Sequence, residues 1–237
     1  MPTCATFLRE ARLVKNMLRD TWVIMPNYDY DGDGQDDYNK LNASLGRGFH
    51  YYLQVIEKNF RLSIDKYVSV DFDSFSYAMT KLGGVEMELT AAEAQYLKLG
   101  SSAGRYKLTG QKALDYVRIR YISTGGDDFA RTERQRKLLL AMFDKAKSSN
   151  LFTLSQVLME IMSQSEVKTS MQKNVLVDFA IKGLTTYKNY ATVTHYLPER
   201  GELEGVSLPG RGSGLKMLDQ KASVLKLQEW IYGGKAE

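Results

Sequence analysis

At 237 residues the chain has room for one large domain or two small ones, and its 43% apolar and 25% charged residues are those of an ordinary globular protein. A formal charge of only +4 excludes a general polyanion binder, so any basic patch has to come from placement. The single cysteine, Cys4, excludes an internal disulfide, and no apolar run approaches the roughly 20 residues that span a bilayer.

Met1 to Asn16 lacks the continuous apolar core of a signal peptide. In chain order, Thr3 to Val23 alternates roughly and predicts the first strands of a sheet. The acidic stretch NYDYDGDGQDDYN, Asn27 to Asn39, places Asp29, Asp31, Asp33, Gly34 and Asp37 at positions 1, 3, 5, 6 and 9 of a D-x-D-x-D-G calcium loop. Lys40 stands where the twelfth-position glutamate belongs, so a bound Ca²⁺ and a merely solvated acidic loop both remain open. Phe49 to Phe60 has helical spacing, apolar at Tyr52, Leu53, Ile56 and Phe60, with His50 on its outer face.

Asp65 to Phe72 reads as a strand, and Asp73 to Leu82 as a helix ended by Gly83 and Gly84. Val85 to Leu89 is a second strand, and Thr90 caps a turn or helix over Ala91 to Leu97. Gln111 to Tyr116 reads as a helix that passes into a strand near Val117. Beyond it, helices are predicted over Arg131 to Ser148, Leu151 to Ser163 and Val167 to Tyr187, the last with Leu176, Phe179, Ala180 and Leu184 on one stripe. Ala191 to Leu197 reads as a strand, Glu199 to Gly214 as a Gly-rich loop, and Leu215 to Tyr232 as a closing helix. With no repeat and no Pro- or Ser-rich linker, residues 1–237 are expected to form a single domain. The β/α alternation predicts an α/β fold of three layers, a mixed central sheet flanked by helices.

The stretch Tyr116 to Lys137 carries the candidate chemistry. Arg118 and Arg120, two apart on a β-like run, would project from one face. After a Ser-Thr-Gly-Gly-Asp-Asp turn, Arg131 and Gln135 lie four apart on a helix with Arg134 beside them. Three or four arginines and a carboxylate would then surround one point, and the planar guanidinium fork suits phosphate oxygens, several together a pyrophosphate. The bland alternative is solvated surface charge. Asp127, Asp128 and Glu133 are too few to pair all of these arginines.

LTGQKALDYVRIR followed by GGDDFARTERQRKLL is similar to the L-x-G-x-x-A-L-x-Y-x-R-x-R and D-F-x-R-x-x-R-Q blocks of the LytR-CpsA-Psr family, read here at Leu108, Gly110, Ala113, Leu114, Tyr116, Arg118, Arg120, Asp128, Phe129, Arg131, Arg134 and Gln135. Leu18 to Val23 resembles the family's R-D-T segment, Val70 to Leu89 its V-D-F…L-G-G-V-x-V stretch, and Lys40-Leu41-Asn42-Ala43 its K-I-N-A segment. The likeness weakens after about Leu151. The family's acidic S-D-T-type segment and N-terminal membrane anchor would precede Met1, and this chain shows neither.

The resemblance implies a phosphotransferase that moves a glycopolymer from an undecaprenyl-pyrophosphate carrier to a peptidoglycan sugar hydroxyl, at the extracellular face of the cytoplasmic membrane. Its partners would be the lipid-linked glycopolymer and peptidoglycan, with no nucleic acid. Arg118, Arg120, Arg131, Arg134 and Gln135 would hold the pyrophosphate, with Lys40 beside them and Arg19 reaching the same pocket. Asp20 would carry Mg²⁺ or Mn²⁺ if a strand end or bulge turns it to the side of Arg19. Asp128 would act as general base or as an arginine orienter, or else as an acid at a helix N-terminus. The resemblance also implies a tunnel for the polyprenyl chain, to which the helices bearing Leu138, Leu139, Met142, Phe143, Phe152, Leu158, Ile161 and Met162 would contribute; taken alone, such stripes are ordinary core. Two other readings stay open. One is a polyprenyl-pyrophosphate hydrolase or lipid-carrier-binding protein with the same pocket. The other is a nucleic-acid-binding regulator, against which the modest charge and the lack of a helix-turn-helix or zinc motif speak.

Overall fold

The computed structural model describes residues 12–120, 128–163, 167–186, 192–208 and 210–232. In chain order the elements are β1 (Arg12–Met17), β2 (Trp22–Ile24), β3 (Tyr38–Lys40), α1 (Phe49–Phe60), β4 (Val68–Ser69), α2 (Phe72–Lys81), β5 (Val85–Leu89), α3 (Ala91–Tyr96), β6 (Gly104–Leu108) and α4 (Gly110–Arg118). There follow α5 (Asp128–Ser148), α6 (Leu151–Ser163), β7 (Lys168–Thr169), α7 (Lys173–Thr186), β8 (Thr192–Leu197), β9 (Leu203–Leu208), β10 (Gly212–Met217) and α8 (Gln220–Tyr232). Short 3₁₀ turns cover Leu41–Arg47 and Arg200–Glu202.

The chain forms two compact units: one is essentially Lys66–Ala191, and the other combines Cys4–Asp65 with Thr192–Glu237. Because the second unit is built from both flanks of the first, no single linker divides them, and the sequence carries no boundary signal.

In the second unit β1 runs parallel to β8, from Arg12 opposite Thr192 to Met17 opposite Leu197. β2 pairs antiparallel with β3, β9 with β10, and a Thr21–Leu215 bridge joins β10 to β2. The core gathers Met17, Val23, Leu41, Val55, Ile56, Phe60, Leu197 and Leu227. Helix α1 buries Tyr52, Val55, Ile56 and Phe60 at helical spacing, and among them Asn59. That amide is satisfied: Oδ1 accepts the Ile24 N–H at 2.8 Å, and Nδ2 donates to the carbonyls of Ile24 and Val55.

The first unit is built on the β5–β6 antiparallel pair. β5 alternates as a half-buried strand should, with Val85, Met87 and Leu89 inward and Glu86 and Glu88 outward. These pack with Met79, Ala113, Tyr116, Ile119 and Leu138 of α2, α4 and α5 and the residue after α4. Gly110 opens α4 at φ +43, and a Cβ there would sit 2.7 Å from Thr80 Oγ1, so glycine is what allows α4 to lie against α2.

The α/β class stands, with both parallel and antiparallel ladders among the described residues. Several boundaries differ from expectation. Tyr116 to Arg118 is the end of α4 rather than a strand, because Ala113, Leu114 and Val117 continue the buried helical face that Tyr116 shares. Only Val68–Ser69 of the Asp65–Phe72 stretch is strand, paired with Lys168–Thr169, so the predicted helix from Val167 begins at Lys173. The Gly-rich loop is the β9–β10 hairpin, and the closing helix starts at Gln220. β6 is an additional strand, which GRYKL signals only weakly.

Candidate functional site

In the first unit the L-x-G-x-x-A-L-x-Y-x-R-x-R block splits into a packing half and a surface half. Leu108, Ala113, Leu114 and Tyr116 are buried, Tyr116 at 1% exposure. Arg118 and Arg120 are exposed on either side of Ile119, which is 0% exposed. The strand premise fails for Arg118. Even so, the chain straightens at Ile119 (φ −55, ψ 129), so both guanidinium groups face outward around one buried side chain. The Arg118 Cζ lies 4.3 Å from the centre of the Phe72 ring at the start of α2, a cation–π contact that limits where the group can go.

On α5 the expected residues behave differently from one another. Gln135 is half-buried, whereas Arg131 and Arg134 are only 6% and 8% exposed. Arg134, expected to face a ligand, here has its guanidinium engaged within the protein. Its Nε donates to Glu93 Oε1 at 2.9 Å and its Nη1 to the Ile119 carbonyl at 3.2 Å. Glu93, which sequence reasoning missed as a functional neighbour, also accepts the Thr90 N–H through Oε2 as part of the α3 capping box. Burial works to raise the Glu93 pKa, but the Thr90 amide and the Arg134 guanidinium outweigh it and hold the carboxyl below its ordinary range. Tyr116 is pushed the other way, upward, by burial and by the Glu93 carboxylate. Asp128 is the first residue of α5; its side chain lies outside the described residues, as does the Ser123–Asp127 turn.

Along α5 and α6, Leu139, Met142, Phe143, Leu158 and Ile161 are half-buried, while Leu138 and Met162 are core and Phe152 is 69% exposed. No helix among the described residues is long and apolar enough to cross a membrane.

In the second unit Arg19 and Asp20 form the turn between β1 and β2, and this strand end brings their side chains together: Arg19 Nε donates to Asp20 Oδ2 at 3.3 Å. The Lys40–Ala43 segment docks on the same turn by backbone bonds, Leu41 N–H to the Thr21 carbonyl and Asn42 N–H to the Arg19 carbonyl. Asn42 Nδ2 then reaches Asp20 Oδ1 at 3.2 Å, a contact that the sequence did not single out. Half-buried Lys40 extends toward Gly212 on β10, where a Cβ would lie 3.7 Å from its Nζ. Both Asp20 oxygens thus accept a hydrogen bond, one from Arg19 and one from Asn42, so a Mg²⁺ ion here would share the carboxylate with the Arg19 guanidinium.

The acidic loop folds on itself. Asp29 accepts from the N–H groups of Gly32 and Gly34, Asp31 from Asp33, and Asp33 from Gln35. Oxygens of Asp29, Asp31 and Asp37 lie within 4.8 Å of one another; Asp33 is not in that group. Arg211 Nη1 donates to Asp37 Oδ1 at 2.7 Å and, with the Tyr30 N–H, lowers the Asp37 pKa. A cation in this loop would share Asp37 with Arg211.

Comparison with known proteins adds family evidence to this geometry. The chain is 27% identical over 165 residues to the polyisoprenyl-teichoic acid–peptidoglycan teichoic acid transferase TagV of Bacillus subtilis, covering 66% of this chain and 42% of that protein. The chain spans about half the length of the curated relatives it matches. The crystal structure of B. subtilis TagV superimposes with a TM-score of 0.69 at 22% identity, over 93% of this chain and 84% of that one. A structure described as TagT bound to LIIa-WTA gives 0.69 at 19% identity, over 92% and 78%. At such identities the superpositions show the fold. Family membership comes from the sequence itself: residues 10–219 match the LytR_cpsA_psr family, and the chain belongs to it.

Proposed function

We propose that this protein transfers a glycopolymer from a polyprenyl-pyrophosphate carrier to a peptidoglycan sugar hydroxyl, at the outer face of the cytoplasmic membrane where the lipid substrate resides. The observation that carries the reading is the pair Arg118 and Arg120, presented outward around Ile119 in a chain whose family relatives include proteins named as teichoic acid transferases.

Phosphoryl transfer asks mainly for positioning and charge stabilisation. Arg118 and Arg120 grip the pyrophosphate oxygens, with Arg131 and Gln135 contributing from α5. The acceptor hydroxyl oxygen forms a bond to the sugar-linked phosphorus. The bond from that phosphorus to the bridging oxygen breaks, and polyprenyl phosphate leaves with the electron pair. Asp128 takes the hydroxyl proton or orients an arginine. In the second unit, Asp20 is the residue that would hold Mg²⁺ or Mn²⁺, an ion that would supply charge neutralisation for phosphate oxygens when bound. Half-buried Leu139, Met142, Phe143, Leu158 and Ile161 give the lipid tail an apolar surface.

The test is product analysis with a polyprenyl-pyrophosphate-linked glycan, with and without peptidoglycan oligosaccharide, in Mg²⁺ and in EDTA. A phosphodiester product that requires the oligosaccharide and disappears in EDTA is expected. Free glycan phosphate regardless of acceptor would make the protein a hydrolase, and binding with no product would make it a carrier-binding protein. Ca²⁺ in the Asp29–Asp37 loop is a further part of the proposal: adding Ca²⁺ after chelation should raise Tm by a few degrees, and an unchanged melt removes the ion.

A further inference from the structure

Resting on the reading above, we propose that Glu93 and Arg134 are positioning residues: their buried pair, tied to the Ile119 carbonyl, fixes the end of α4 so that Arg118 and Arg120 meet the pyrophosphate in register. Three segments meet at Arg134. Glu93 belongs to the first turn of α3, Ile119 follows the last residue of α4, and Arg134 lies one turn beyond Arg131 on α5. The guanidinium fork is divided, Nε on the Glu93 carboxylate and Nη1 on the Ile119 carbonyl. Glu93 is held in turn by the Thr90 amide, and Thr90 follows the last residue of β5. The link thus runs from the β5–β6 pair to the peptide that lies between Arg118 and Arg120.

The Ile119 carbonyl belongs to a fully buried residue just past a helix end, where carbonyls lose their helical partners. Arg134 supplies a partner, and a fixed carbonyl fixes the direction in which both flanking side chains leave the chain. Arg134 is poorly placed to touch substrate itself, since its guanidinium is already divided between the Glu93 carboxylate and the Ile119 carbonyl. Among the described residues Arg118 and Arg120 have no carboxylate partner, and Arg118 rests on the Phe72 ring.

Lysine at 134 keeps the charge and can satisfy Glu93 or the Ile119 carbonyl, not both through a fork; glutamine at 93 keeps shape and an acceptor while removing the charge. Because an arginine displaced by about 1 Å still attracts the ground-state anion but fits the transition state badly, Arg134→Lys and Glu93→Gln should each lower kcat by about 10- to 100-fold with KM changed less than about twofold. Both variants are assayed well below their own Tm.

A second measurement uses the unmodified protein with farnesyl pyrophosphate as probe. The ¹⁵Nε resonance of Arg118 should shift on binding, and that of Arg134 should not. Wild-type kcat in both variants, a kcat loss that merely follows loss of folded protein, or an Arg134 shift as large as that of Arg118 would each overturn the positioning role. If the unmodified protein neither transfers glycan nor shows an Arg118 shift, the transferase reading itself has failed, and the positioning role falls with it.

Discussion

Arg118→Ala should reduce glycan transfer by at least about 100-fold, the scale seen when one preorganised donor to developing charge is removed, while Tm falls by no more than about 3 °C. The small thermal effect follows from what the side chain touches. Arg118 is exposed at the C-terminal end of α4, and its guanidinium lies over the face of Phe72. An exposed contact of that kind contributes about 0.5–1 kcal/mol, and 1 kcal/mol moves Tm by about 2–4 °C in a chain of this size. Arg131→Ala should behave differently. At 6% exposure its stem and guanidinium are part of the packing, so activity and thermal stability should both fall. Parallel transfer assays and melts of the two variants check this contrast; a large Tm loss in Arg118→Ala with activity in proportion would make that residue structural.

Gly214→Ala should damage the second unit severely, lowering stability by about 2–3 kcal/mol. β10 crosses the Arg19–Asp20 turn so closely that a Cβ on Gly214 would overlap Trp22 Nε1 and stand 2.9 Å from the Asp20 carbonyl oxygen. Neither neighbour can yield cheaply: Trp22 is 3% exposed, and the Asp20 carbonyl accepts the Leu215 N–H at 2.9 Å. Relief requires β10 to move away, which breaks the Thr21–Leu215 bridge and releases the turn that joins Arg19 to Asp20. A Tm drop of about 5–10 °C is expected, together with weaker Mg²⁺ dependence of transfer. A melt indistinguishable from that of the parent protein would show that this close approach does not hold the turn.

What the sequence made legible of the candidate site is that its two leading arginines stand at the surface, because their spacing carries it. Arg118 and Arg120 were expected to face the same way, and they are both exposed around one buried residue, although a helix end and not a strand achieves this. The T-x-x-E pattern at Thr90 and Glu93 was readable only as the start of a helix. That the same Glu93 serves Arg134, far along the chain, depends on how three segments pack, and no local spacing records it. The same holds for Asn42 on Asp20, where backbone bonds between distant segments set the contact. The β9–β10 hairpin was hidden for another reason: Gly205, Gly210, Gly212 and Gly214 read as loop chemistry, whereas Gly214 answers to a close approach by Trp22.

The parallel pairing of β1 with β8 constrains how the protein is made. β1 is synthesised before all of Lys66–Ala191, yet its partner begins only at Thr192, after that stretch. Until then β1 is an unsatisfied edge, while Lys66–Ala191 has already been synthesised and can gather its own core. Such a long-range closure is intrinsically slow. Nascent chains halted before Thr192 should therefore depend on chaperones to shield β1.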